Sequence, residues 1–231
     1  MQRIVILTGA GLSAESGLGT FRDTDGLWTK YDLEDVATPQ GFARNPALVH
    51  EFYNARRANC LGAVPNPAHD ALAGLQRAAP DRVTLVTQNA DDLLERAGAP
   101  SVIHMHGELT RALCAACTHR WDAPHQMAPT DPCPACATAA TRPDIVWFGE
   151  MPYHMERIDA ALQRADLFVA IGTSGNVYPA AGFVQEAAFA GARTLELNLE
   201  PSTTAALFDE TRIGPASTLV PGWVAEVLAG G

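Results

Sequence analysis

Two hydrophobic patterns alternate along most of the chain. Short runs of mainly apolar, often β-branched residues are typical of strands that are buried on both faces of a sheet. Four segments have this pattern: Arg3–Leu7, Arg82–Thr87, Leu167–Ile171 and Arg193–Leu197. Apolar residues at helical spacing occur between them, at Ala68–Ala78, Ala90–Ala97, Glu156–Ala165 and Phe183–Ala190. Strands that alternate with helices predict an α/β fold with a mostly parallel sheet and helices on both of its faces.

Two segments interrupt this alternation. Residues 19–67 contain no clear strand, and we expect a loop and helical insert at about 29–67, with a helix near Pro46–Cys60. Residues 107–143 hold four of the five cysteines together with several prolines, and they have few apolar positions for a core. We therefore predict a main domain made of residues 1–106 and 144–231, and a small separate module at residues 107–143.

Composition narrows the possible functions. The chain has 231 residues, of which 47% are apolar, and a formal net charge of −10. An acidic chain repels nucleic-acid phosphates and suits cationic partners such as lysine-rich peptides, although a solvated acidic surface explains the charge equally well. The N-terminal apolar run is too short for a signal peptide, and no segment reaches the roughly 20 apolar residues of a membrane span. We expect a cytoplasmic monomer that binds neither membranes nor nucleic acid.

A glycine-rich turn follows the first predicted strand. Gly9, Gly11 and Ala14 match the pattern Gly-x-Gly-x-x-Ala, in which small residues let the backbone approach a dinucleotide pyrophosphate at a helix N-terminus. A glycine-rich strand-to-helix turn without a ligand is the alternative. The long helix and second strand with an acidic tip that usually follow are missing. We therefore predict a Rossmann-like nucleotide site with a short first helix and a mobile flap, which carries Phe21 and Arg22.

The cysteines form two closely spaced pairs. Cys114-x-x-Cys117 and Cys133-x-x-Cys136 are separated by fifteen residues. In a cytosolic chain, this spacing favours four thiolate ligands of one structural zinc ion over two disulfides. Four sulfur ligands leave no position for water, so the metal would stabilise a module too small to fold alone. Cys60 lies apart, and we expect it to be a small core residue rather than a nucleophile.

Polar residues follow the other predicted strands. Gln88, Asn89 and Asp91 follow the second strand, and the carboxyl edge of an open α/β sheet carries the ligand. These residue types suit ribose and carboxamide contacts, although helix capping by Asn89 or Asp91 is the alternative. Further candidates at strand ends are Gly172, Thr173 and Ser174, which repeat the phosphate-loop pattern, and Asn198 and Glu200, which we expect to reach a ribose.

Two histidines follow the apolar pair Val102-Ile103. An imidazole at a strand end beside a cofactor is a candidate general base, because its ordinary pKa lies near neutrality. We expect His104 and His106 to face opposite ways, so that at most one of them serves the site. Gly107 favours His106, because a glycine at this point lets a substrate approach.

Together these motifs resemble the sirtuin family of NAD-dependent protein deacylases, and in particular its bacterial CobB-type members of the desuccinylase class. They occur in the family's order and extend over nearly the whole chain. The motifs are Gly9-Ala10-Gly11-Leu12-Ser13, Ser16-Gly17, Phe21-Arg22, Thr87-Gln88-Asn89-Ala90-Asp91, His106-Gly107, the two cysteine pairs, Phe148-Gly149-Glu150 and Gly172-Thr173-Ser174. The resemblance implies a Rossmann-like domain with an inserted zinc-ribbon module and a helical insert.

The resemblance also implies a reaction, in which acetyl, succinyl or malonyl groups are removed from protein lysine side chains at the expense of NAD. The acyl oxygen would attack the anomeric carbon of the nicotinamide ribose, and nicotinamide would leave. His106 would then act as the base on a ribose hydroxyl, which attacks the acyl-imidate carbon. The products are free lysine and O-acyl-ADP-ribose.

Site residues follow from the same resemblance. Catalytic roles fall to His106, Asn89 and Asp91. The implied NAD contacts are Gly9, Ala10, Gly11, Ser13, Ala14, Glu15, Phe21, Arg22, Trp28, Gln88, Asn89, Asp91, Gly172, Thr173, Ser174, Asn198, Glu200 and Ala216. The implied substrate contacts are Tyr53, Arg56, Val146, Phe148, Gly149, Glu150, Gly175 and Val177. An acylated peptide would lie as an added strand between Val146–Glu150 and Gly175–Tyr178.

The acyl preference depends on three positions. Tyr53-x-x-Arg56 resembles the pair that reads an acidic acyl group in the desuccinylase class. Residues i and i+3 share a helix face, and a guanidinium beside a phenol suits a carboxylate. A packed tyrosine and a surface arginine are the alternative. Thr24 stands where the class has a small alanine, and it would narrow the acyl pocket.

Two other functions would use parts of the same pattern. A mono-ADP-ribosyltransferase would use the same NAD cleavage, and formation of acyl-ADP-ribose would separate the two activities. A zinc-ribbon adaptor or nucleic-acid reader that only senses NAD would not need His106, and the net charge of −10 disfavours it.

Overall fold

A computed structural model of the chain describes residues 2–19 and 31–230. The strands are β1 Ile4–Thr8, β2 Val83–Thr87, β3 Val102–His104, β4 Gly107–Cys114, β5 Arg120–Asp122, β6 Thr141–Ile145, β7 Leu167–Ile171, β8 Arg193–Asn198 and β9 Glu210–Ile213. The α-helices are α1 Ala10–Ser13, α2 Leu33–Val36, α3 Pro39–Arg44, α4 Pro46–Gly62, α5 Pro67–Ala78, α6 Leu93–Arg96, α7 Met155–Leu162, α8 Phe183–Phe189 and α9 Ala216–Ala229.

The main sheet has six parallel strands in the order β3-β2-β1-β7-β8-β9. Ile4 of β1 lies opposite Val83 of β2 on one side and Leu167 of β7 on the other. The strand order therefore runs outward in two directions from the β1–β7 pair. The carboxyl ends of these two strands flank the topological switch point, where open α/β sheets bind their ligands.

Helices cover both faces of this sheet, as the sequence predicts. All five residues of β1 are buried. Successive side chains of a strand point to opposite faces. Ile4 and Ile6 accordingly pack in a cluster with α5 and α9, whereas Val5 and Leu7 pack in a second cluster with α7 and α8. The predicted α/β class and its parallel sheet are confirmed.

The two longest helices of the first half begin as their sequences indicate, with an asparagine followed by proline. The Asn45 side chain accepts the Leu48 N–H at 3.1 Å at the start of α4, and the Asn66 side chain accepts the Ala68 N–H at 2.9 Å at the start of α5. Asparagine supplies the missing acceptor at an N-cap, and proline loses nothing at the first helical position. The helix that we expect near Pro46–Cys60 is therefore α4.

α6 is shorter than the predicted helix at Ala90–Ala97. The Ala90 carbonyl accepts the Leu109 N–H of β4 at 2.8 Å, and an Asp91 carboxylate oxygen accepts the Leu93 N–H at 3.2 Å. These bonds hold the first residues of the segment outside the helix. Gly98, with a φ of +88°, ends the segment in the left-handed region as a C′ glycine does.

A second, antiparallel sheet contains the paired cysteines, with its strands in the order β5-β4-β6. Gly107 begins β4 with a φ of +81°, and a Cβ atom there would lie 2.1 Å from the Asp144 carbonyl oxygen of β6. Glycine is therefore required here because the β4 backbone packs directly against β6. From the sequence we connect this glycine instead with the approach of a substrate. The division into a main domain of residues 1–106 and 144–231 and a module of residues 107–143 stays a prediction, and β6 of the smaller sheet extends to Ile145.

A third apolar cluster joins the helical insert to this smaller sheet. It contains Phe52 and Tyr53 of α4, Leu109 of β4, Ile145 of β6 and Trp147. The helix that carries the predicted acyl-reading pair therefore packs directly on the smaller sheet. None of the helices within residues 2–19 and 31–230 is long and apolar enough to span a membrane.

Candidate active site

Two glycine loops meet at the switch point of the main sheet. The Gly11 N–H donates to the Gly172 carbonyl at 2.9 Å, and the Gly9 N–H donates to the Ile171 carbonyl at the same distance. A Cβ atom on Gly9 or Gly11 would lie 2.7 Å from the Gly172 backbone. The glycines therefore let the backbones of the two loops touch. This contact explains why glycine is needed at positions 9 and 11, and the dinucleotide pattern alone does not reveal it.

The first helix is short, as predicted. α1 spans Ala10–Ser13 and continues as a single 3-10 turn over Ala14–Ser16. Ala10 and Gly11 are half-buried at the edge of the cleft, and Ala14 is exposed. The predictions for Phe21, Arg22, Thr24 and Trp28 fall outside the described residues.

A buried hydrogen-bond network centres on Ser13. The Ser13 hydroxyl donates to an Asp91 carboxylate oxygen at 2.9 Å and accepts the Asn89 side-chain N–H at 3.1 Å. His69 Nε2 lies 3.3 Å from the same hydroxyl, and His69 Nδ1 accepts the Asn66 backbone N–H at 3.2 Å. Since Nδ1 accepts, Nε2 carries the proton and donates it to Ser13. The serine thus uses its one donor and both acceptor positions.

The sequence reasoning missed His69. The signal that could have found it is the asparagine-to-histidine spacing at the start of α5, where Asn66 and His69 form a reciprocal capping pair. What the spacing cannot reveal is that the other ring nitrogen reaches Ser13 on α1. Burial lowers the pKa of His69 to about 4, so the imidazole is neutral at physiological pH.

Asn89 and Asp91 are oriented by this network. The Asn89 side-chain nitrogen also donates to the Gly9 carbonyl at 3.0 Å. Asp91 additionally accepts the Leu93 N–H, so the capping alternative describes part of its role. Burial raises the pKa of Asp91, although its bonds from Leu93 and Ser13 oppose that shift. Helix capping is therefore not the principal contact of Asn89, which links the second strand's end to the glycine turn.

His106 lies beside the same cleft in the form that a base requires. Its Nδ1 lies 3.2 Å from the Gln88 carbonyl oxygen, which can only accept. The ring proton is therefore on Nδ1, and the lone pair is on Nε2. Burial lowers the pKa of His106, and the bond to Gln88 opposes this only in part. The imidazole is consequently neutral at pH 7 and can accept a proton.

His104 has a different environment. Its Nδ1 faces the Asn89 carbonyl at 3.2 Å, and its Nε2 faces a Glu95 carboxylate oxygen at 2.8 Å. Burial has the largest single effect on the pKa of His104 and lowers it. The hydrogen bond to Glu95, the negative charge of Glu95 and smaller effects of other groups together outweigh burial, so that the pKa is raised overall. On a continuous strand, residues two apart would share a face. The two histidines differ in partner because β3 ends at His104.

Residues at the β7 and β8 ends form the other side of the cleft. The Asn198 side-chain nitrogen donates to the Thr173 carbonyl at 2.7 Å, and its oxygen accepts the Leu199 N–H at 3.1 Å. Asn198 therefore ties two loops together. Ser174 is half-buried, its carbonyl accepts the Thr203 N–H at 3.1 Å, and Glu200 is exposed.

Glu15 reaches the first turn of α9. Its carboxylate accepts the Ser217 N–H at 2.9 Å and also binds the Ser217 hydroxyl. These bonds lower the pKa of Glu15. The first backbone N–H groups of a helix have no acceptor within the helix, and the N-cap residue Pro215 supplies none from its side chain. The Glu15 carboxylate supplies this acceptor, and its negative charge is favourable at a helix N-terminus. Glu15 thereby fixes Ala216 beside the glycine turn.

The predicted acyl-reading pair lies on α4. Tyr53 is 2% exposed, and its hydroxyl accepts the Trp147 indole N–H at 3.0 Å. The Arg56 guanidinium carbon lies 5.6 Å from the Tyr53 ring centroid and is half-buried. Burial raises the pKa of Tyr53 and lowers that of Arg56. The alternative to an acyl-reading pair is a packed tyrosine and a surface arginine. Tyr53 is indeed packed, but Arg56 is half-buried and not a fully exposed surface residue.

The two predicted peptide-binding segments lie outside the strands. The N–H groups of Val146 and Phe148 donate within the chain, to the His106 and Ala37 carbonyls at 2.9 and 3.0 Å. A peptide strand that paired beside Val146 and Phe148 would therefore meet their carbonyl groups rather than their N–H groups. Phe148 and Tyr178 are 50% and 74% exposed. Gly149, Glu150, Gly175 and Val177 complete these segments, and Glu150 is held in a two-pronged ion pair by Arg142.

The four paired cysteines converge. Their sulfur atoms all lie within 4.8 Å of one another, and Sγ–Sγ distances are 3.7 Å for Cys114–Cys136 and Cys117–Cys133. A disulfide would need about 2.0 Å. Tetrahedral zinc with Zn–S bonds of about 2.3 Å separates its sulfur ligands by about 3.8 Å. The cysteines are positioned to bind a structural zinc ion. Cys60 is fully buried, and burial raises its pKa to about 12, which suits a core residue.

The cleft at the switch point of a parallel sheet places the chain among the α/β proteins that bind dinucleotides, with a metal-binding module inserted between its strands. The chain belongs to the Sir2 family, whose sequence model matches residues 9–179. The resemblance to sirtuins that the motifs carry is thus confirmed.

Relatives and solved structures agree with this assignment. A protein of Caulobacter vibrioides named NAD-dependent protein deacylase is 59% identical over 99% of this chain and 98% of its own length. One of the same name from Pasteurella multocida is 54% identical over 98% of both chains. A Sir2 homologue–NAD complex has a TM-score of 0.90 at 38% identity, covering 98% of this chain and 90% of the other. A Sir2 variant with a deacetylated p53 peptide and 3′-O-acetyl-ADP-ribose has a TM-score of 0.81 at 27% identity, covering 99% and 93%.

Proposed function

We infer that this chain removes acyl groups from protein lysine side chains with NAD as co-substrate, and that it releases nicotinamide and O-acyl-ADP-ribose. The observation that carries this inference is the neutral, half-buried imidazole of His106, bonded to Gln88 at the carboxyl end of β2, at the edge of the sheet where two glycine loops touch. The deacylase relatives and the acyl-ADP-ribose in a similar structure favour this reaction over mono-ADP-ribosyl transfer, and over an adaptor that merely senses NAD.

The residues of the cleft form two groups, one for the nicotinamide half of NAD and one for its adenosine half. At the end of β2, Gln88, Asn89 and Asp91 offer amide and carboxylate groups to the nicotinamide and its ribose. Gly9, Ala10 and Gly11 bring backbone close to the phosphates, with Ser13, Ala14 and Glu15 behind them. The adenosine half falls to Gly172, Thr173, Ser174, Asn198, Glu200 and Ala216. NAD supplies the electrophilic anomeric carbon, while the chain orients it and excludes water.

His106 acts as the general base in this proposal. Its Nε2 lone pair accepts a proton from a ribose hydroxyl, and its Nδ1 bond to the Gln88 carbonyl keeps the ring in the required tautomer. Burial lowers the pKa of His106, so the basic form is present at neutral pH. Asn89 and Asp91 position the nicotinamide, and Ser13 with His69 holds Asp91 in place.

Zinc has no part in the chemistry. Four thiolates would complete its coordination and leave no site for water or substrate. Its role would be to fold the segment between β4 and β6, on which α4 packs. Cytoplasmic location, the monomeric state and the division into a main domain and one small module remain predictions from the sequence.

The acyl preference follows from α4. Tyr53 and Arg56 are placed side by side, and a guanidinium with a phenol beside it binds a carboxylate well. We therefore propose that the enzyme removes succinyl and malonyl groups as well as acetyl. The acylated peptide would lie between Val146–Glu150 and Gly175–Tyr178, with Phe148 and Val177 against the lysine stem.

The test is a deacylation assay on one peptide prepared in acetyl-, succinyl- and malonyl-lysine forms, with products identified by mass spectrometry. We expect NAD-dependent removal of all three groups and formation of the matching O-acyl-ADP-ribose. Arg56→Met should lower desuccinylation far more than deacetylation. Arg164→Met is the matched control, because Arg164 is an exposed arginine just after the end of α7. Consumption of NAD without loss of any acyl group would refute deacylation, and equal losses for both acyl groups would refute the role of Arg56.

A further inference from the structure

A buried indole joins the peptide-binding segment to the acyl-reading helix. Trp147 is buried, whereas its neighbours in the predicted peptide-binding segment, Val146 and Phe148, are more exposed, so its side chain points into the protein. Trp147 is 3% exposed, and its indole N–H donates to the Tyr53 hydroxyl at 3.0 Å. One side chain therefore links the segment that would bind the peptide backbone to the residue that would read the acyl group.

The indole ring is held in one orientation. The Arg142 guanidinium carbon lies 3.5 Å from the centroid of the Trp147 ring, and Arg142 binds both Glu150 carboxylate oxygens at 2.7 and 2.9 Å. The same carboxylate accepts the Trp147 backbone N–H at 2.8 Å. Phe42 packs on the ring with a centroid distance of 5.1 Å. These contacts leave the indole N–H aimed at Tyr53.

This contact decides what the Tyr53 hydroxyl can do. A hydroxyl has one proton to donate and two acceptor positions, and an indole N–H can only donate. The tyrosine oxygen therefore accepts from Trp147, and no acceptor within residues 2–19 and 31–230 takes its own proton, which is left to donate to a ligand. Arg56 and Arg142, the guanidinium groups near Tyr53 in the described part of the chain, have no acceptor atom. Burial raises the pKa of Tyr53, so the proton is retained at neutral pH.

We propose that Trp147 is a positioning residue for acyl selection, which orients the Tyr53 hydroxyl as a donor to the terminal carboxylate of a succinyl- or malonyl-lysine beside Arg56. The proposal rests on the deacylase function inferred above and deepens its acyl specificity. An acetyl group lacks that carboxylate and gains nothing from the oriented proton. The selectivity between the two acyl groups, rather than turnover as such, should therefore depend on the indole N–H.

The test substitutes Trp147→Phe, which keeps an aromatic ring under Arg142 and removes only the N–H donor and part of the ring. Steady-state kinetics on succinyl and acetyl forms of one peptide, at saturating NAD, give the ratio of the two kcat/KM values. Any effect on peptide binding is common to both forms and cancels in the ratio. We expect the succinyl-to-acetyl ratio to fall roughly three- to tenfold, the range of one hydrogen bond, through KM rather than kcat.

Two further variants separate positioning from general damage. In a Tyr53→Phe background there is no hydroxyl to orient, so Trp147→Phe should leave the ratio of that background unchanged. Trp223→Phe on α9 is the matched control, because Trp223 is also 3% exposed but packs in the separate cluster between α5, α9 and the main sheet. That control should keep the wild-type ratio.

The outcomes distinguish this proposal from the function on which it rests. A wild-type ratio in Trp147→Phe, or a fall of the same size in the Tyr53→Phe background, would overturn the role of Trp147 while deacylation stands. A wild-type enzyme that removes acetyl but no acidic acyl group would do the same. If the wild-type chain removes no acyl group at all, the proposed function itself fails, and this inference fails with it.

Discussion

At the scale of single residues, neighbouring side chains of one type acquire different chemistry from their partners. His104 meets a carbonyl and a carboxylate, and its pKa is raised overall. His106 meets one carbonyl, and burial lowers its pKa. The first therefore favours the imidazolium more than an exposed histidine does, whereas the second favours the neutral ring that the proposed base role requires. Sequence spacing could select the pair, but it could not show these partners.

Substitution of His106 by alanine should reduce deacylation by about 10²- to 10⁴-fold, the usual contribution of a general base. NAD binding, measured by calorimetry, should persist, because His106 bonds to the Gln88 carbonyl and not to the glycine loops. His125→Ala, at an exposed position of the smaller module, is the matched control. Retained turnover in His106→Ala would remove this residue from the base role.

At the scale of elements, a strand of the parallel sheet could be predicted where it is buried on both faces, because such a strand is a nearly unbroken run of apolar residues. β1, β2, β7 and β8 lie within a residue of the predicted runs. α9 and β9 were not predicted. Pro221 lies inside α9, where it removes a helical hydrogen bond, and β9 has the edge-strand sequence Glu-Thr-Arg-Ile. Tertiary packing of Val220 and Trp223 outweighs that local penalty.

The contacts of His69 and Trp147 could not be predicted for a different reason. Both side chains reach partners that are distant in sequence, Ser13 on α1 and Tyr53 on α4. Local spacing shows which helix or strand a residue occupies, but not which loop the fold brings against it. The motif residues at strand ends were accessible to sequence reasoning because all parallel strands deliver them to one edge.

Contact between the glycine loops can be tested at one element. Gly172 has a φ of +62°, and a Cβ there would lie 2.5 Å from the Leu12 backbone nitrogen, so Gly172→Ala should push the two loops apart. We expect NAD affinity to fall roughly ten- to a hundredfold, since small misplacements of binding groups are costly. Gly191→Ala is the matched control, because its φ is +92° but nothing lies within 4 Å of the added atom.

The Gly191→Ala control separates the effect of the clash between the loops from the cost of placing alanine at a positive φ. An alanine in the left-handed region loses roughly 1–2 kcal/mol of stability at either position. Calorimetric NAD titration of both variants, with thermal unfolding beside it, therefore separates the two effects. Equal NAD affinities in Gly172→Ala and Gly191→Ala would mean that the close approach of the loops does not shape the cofactor site.

At the scale of the whole molecule, the cysteine module should determine whether the helical insert is held in place. We expect about one zinc ion per chain by elemental analysis, because four thiolates fill one tetrahedral site. Chelation should lower the unfolding temperature and expose the apolar cluster of Phe52, Leu109 and Trp147, which a change in tryptophan fluorescence would report. A purified chain with four free thiols and no metal would refute the structural-zinc proposal.

The stability of the whole chain should also fall as the solution becomes acidic. Burial lowers the pKa of His69 to about 4, against about 6.5 for an exposed imidazole, and burial also lowers the pKa of His50 and His106. For such groups the unfolded chain binds more protons between the two pKa values. Their contribution is therefore present above pH 6.5 and is lost as the pH falls, in the case of His69 towards its pKa of about 4.

For His69 alone, the free energy of unfolding should drop by about 2 kcal/mol between pH 7 and pH 5. Protonation would put a donor on Nδ1, which now accepts the Asn66 N–H at the start of α5. The raised pKa values of Asp91 and His104 act in the opposite direction and reduce the net slope. Urea unfolding at several pH values should show a clearly flatter profile for His69→Gln, whose amide does not titrate. An unchanged slope in this variant would mean that the burial of His69 does not control the acid sensitivity of the fold.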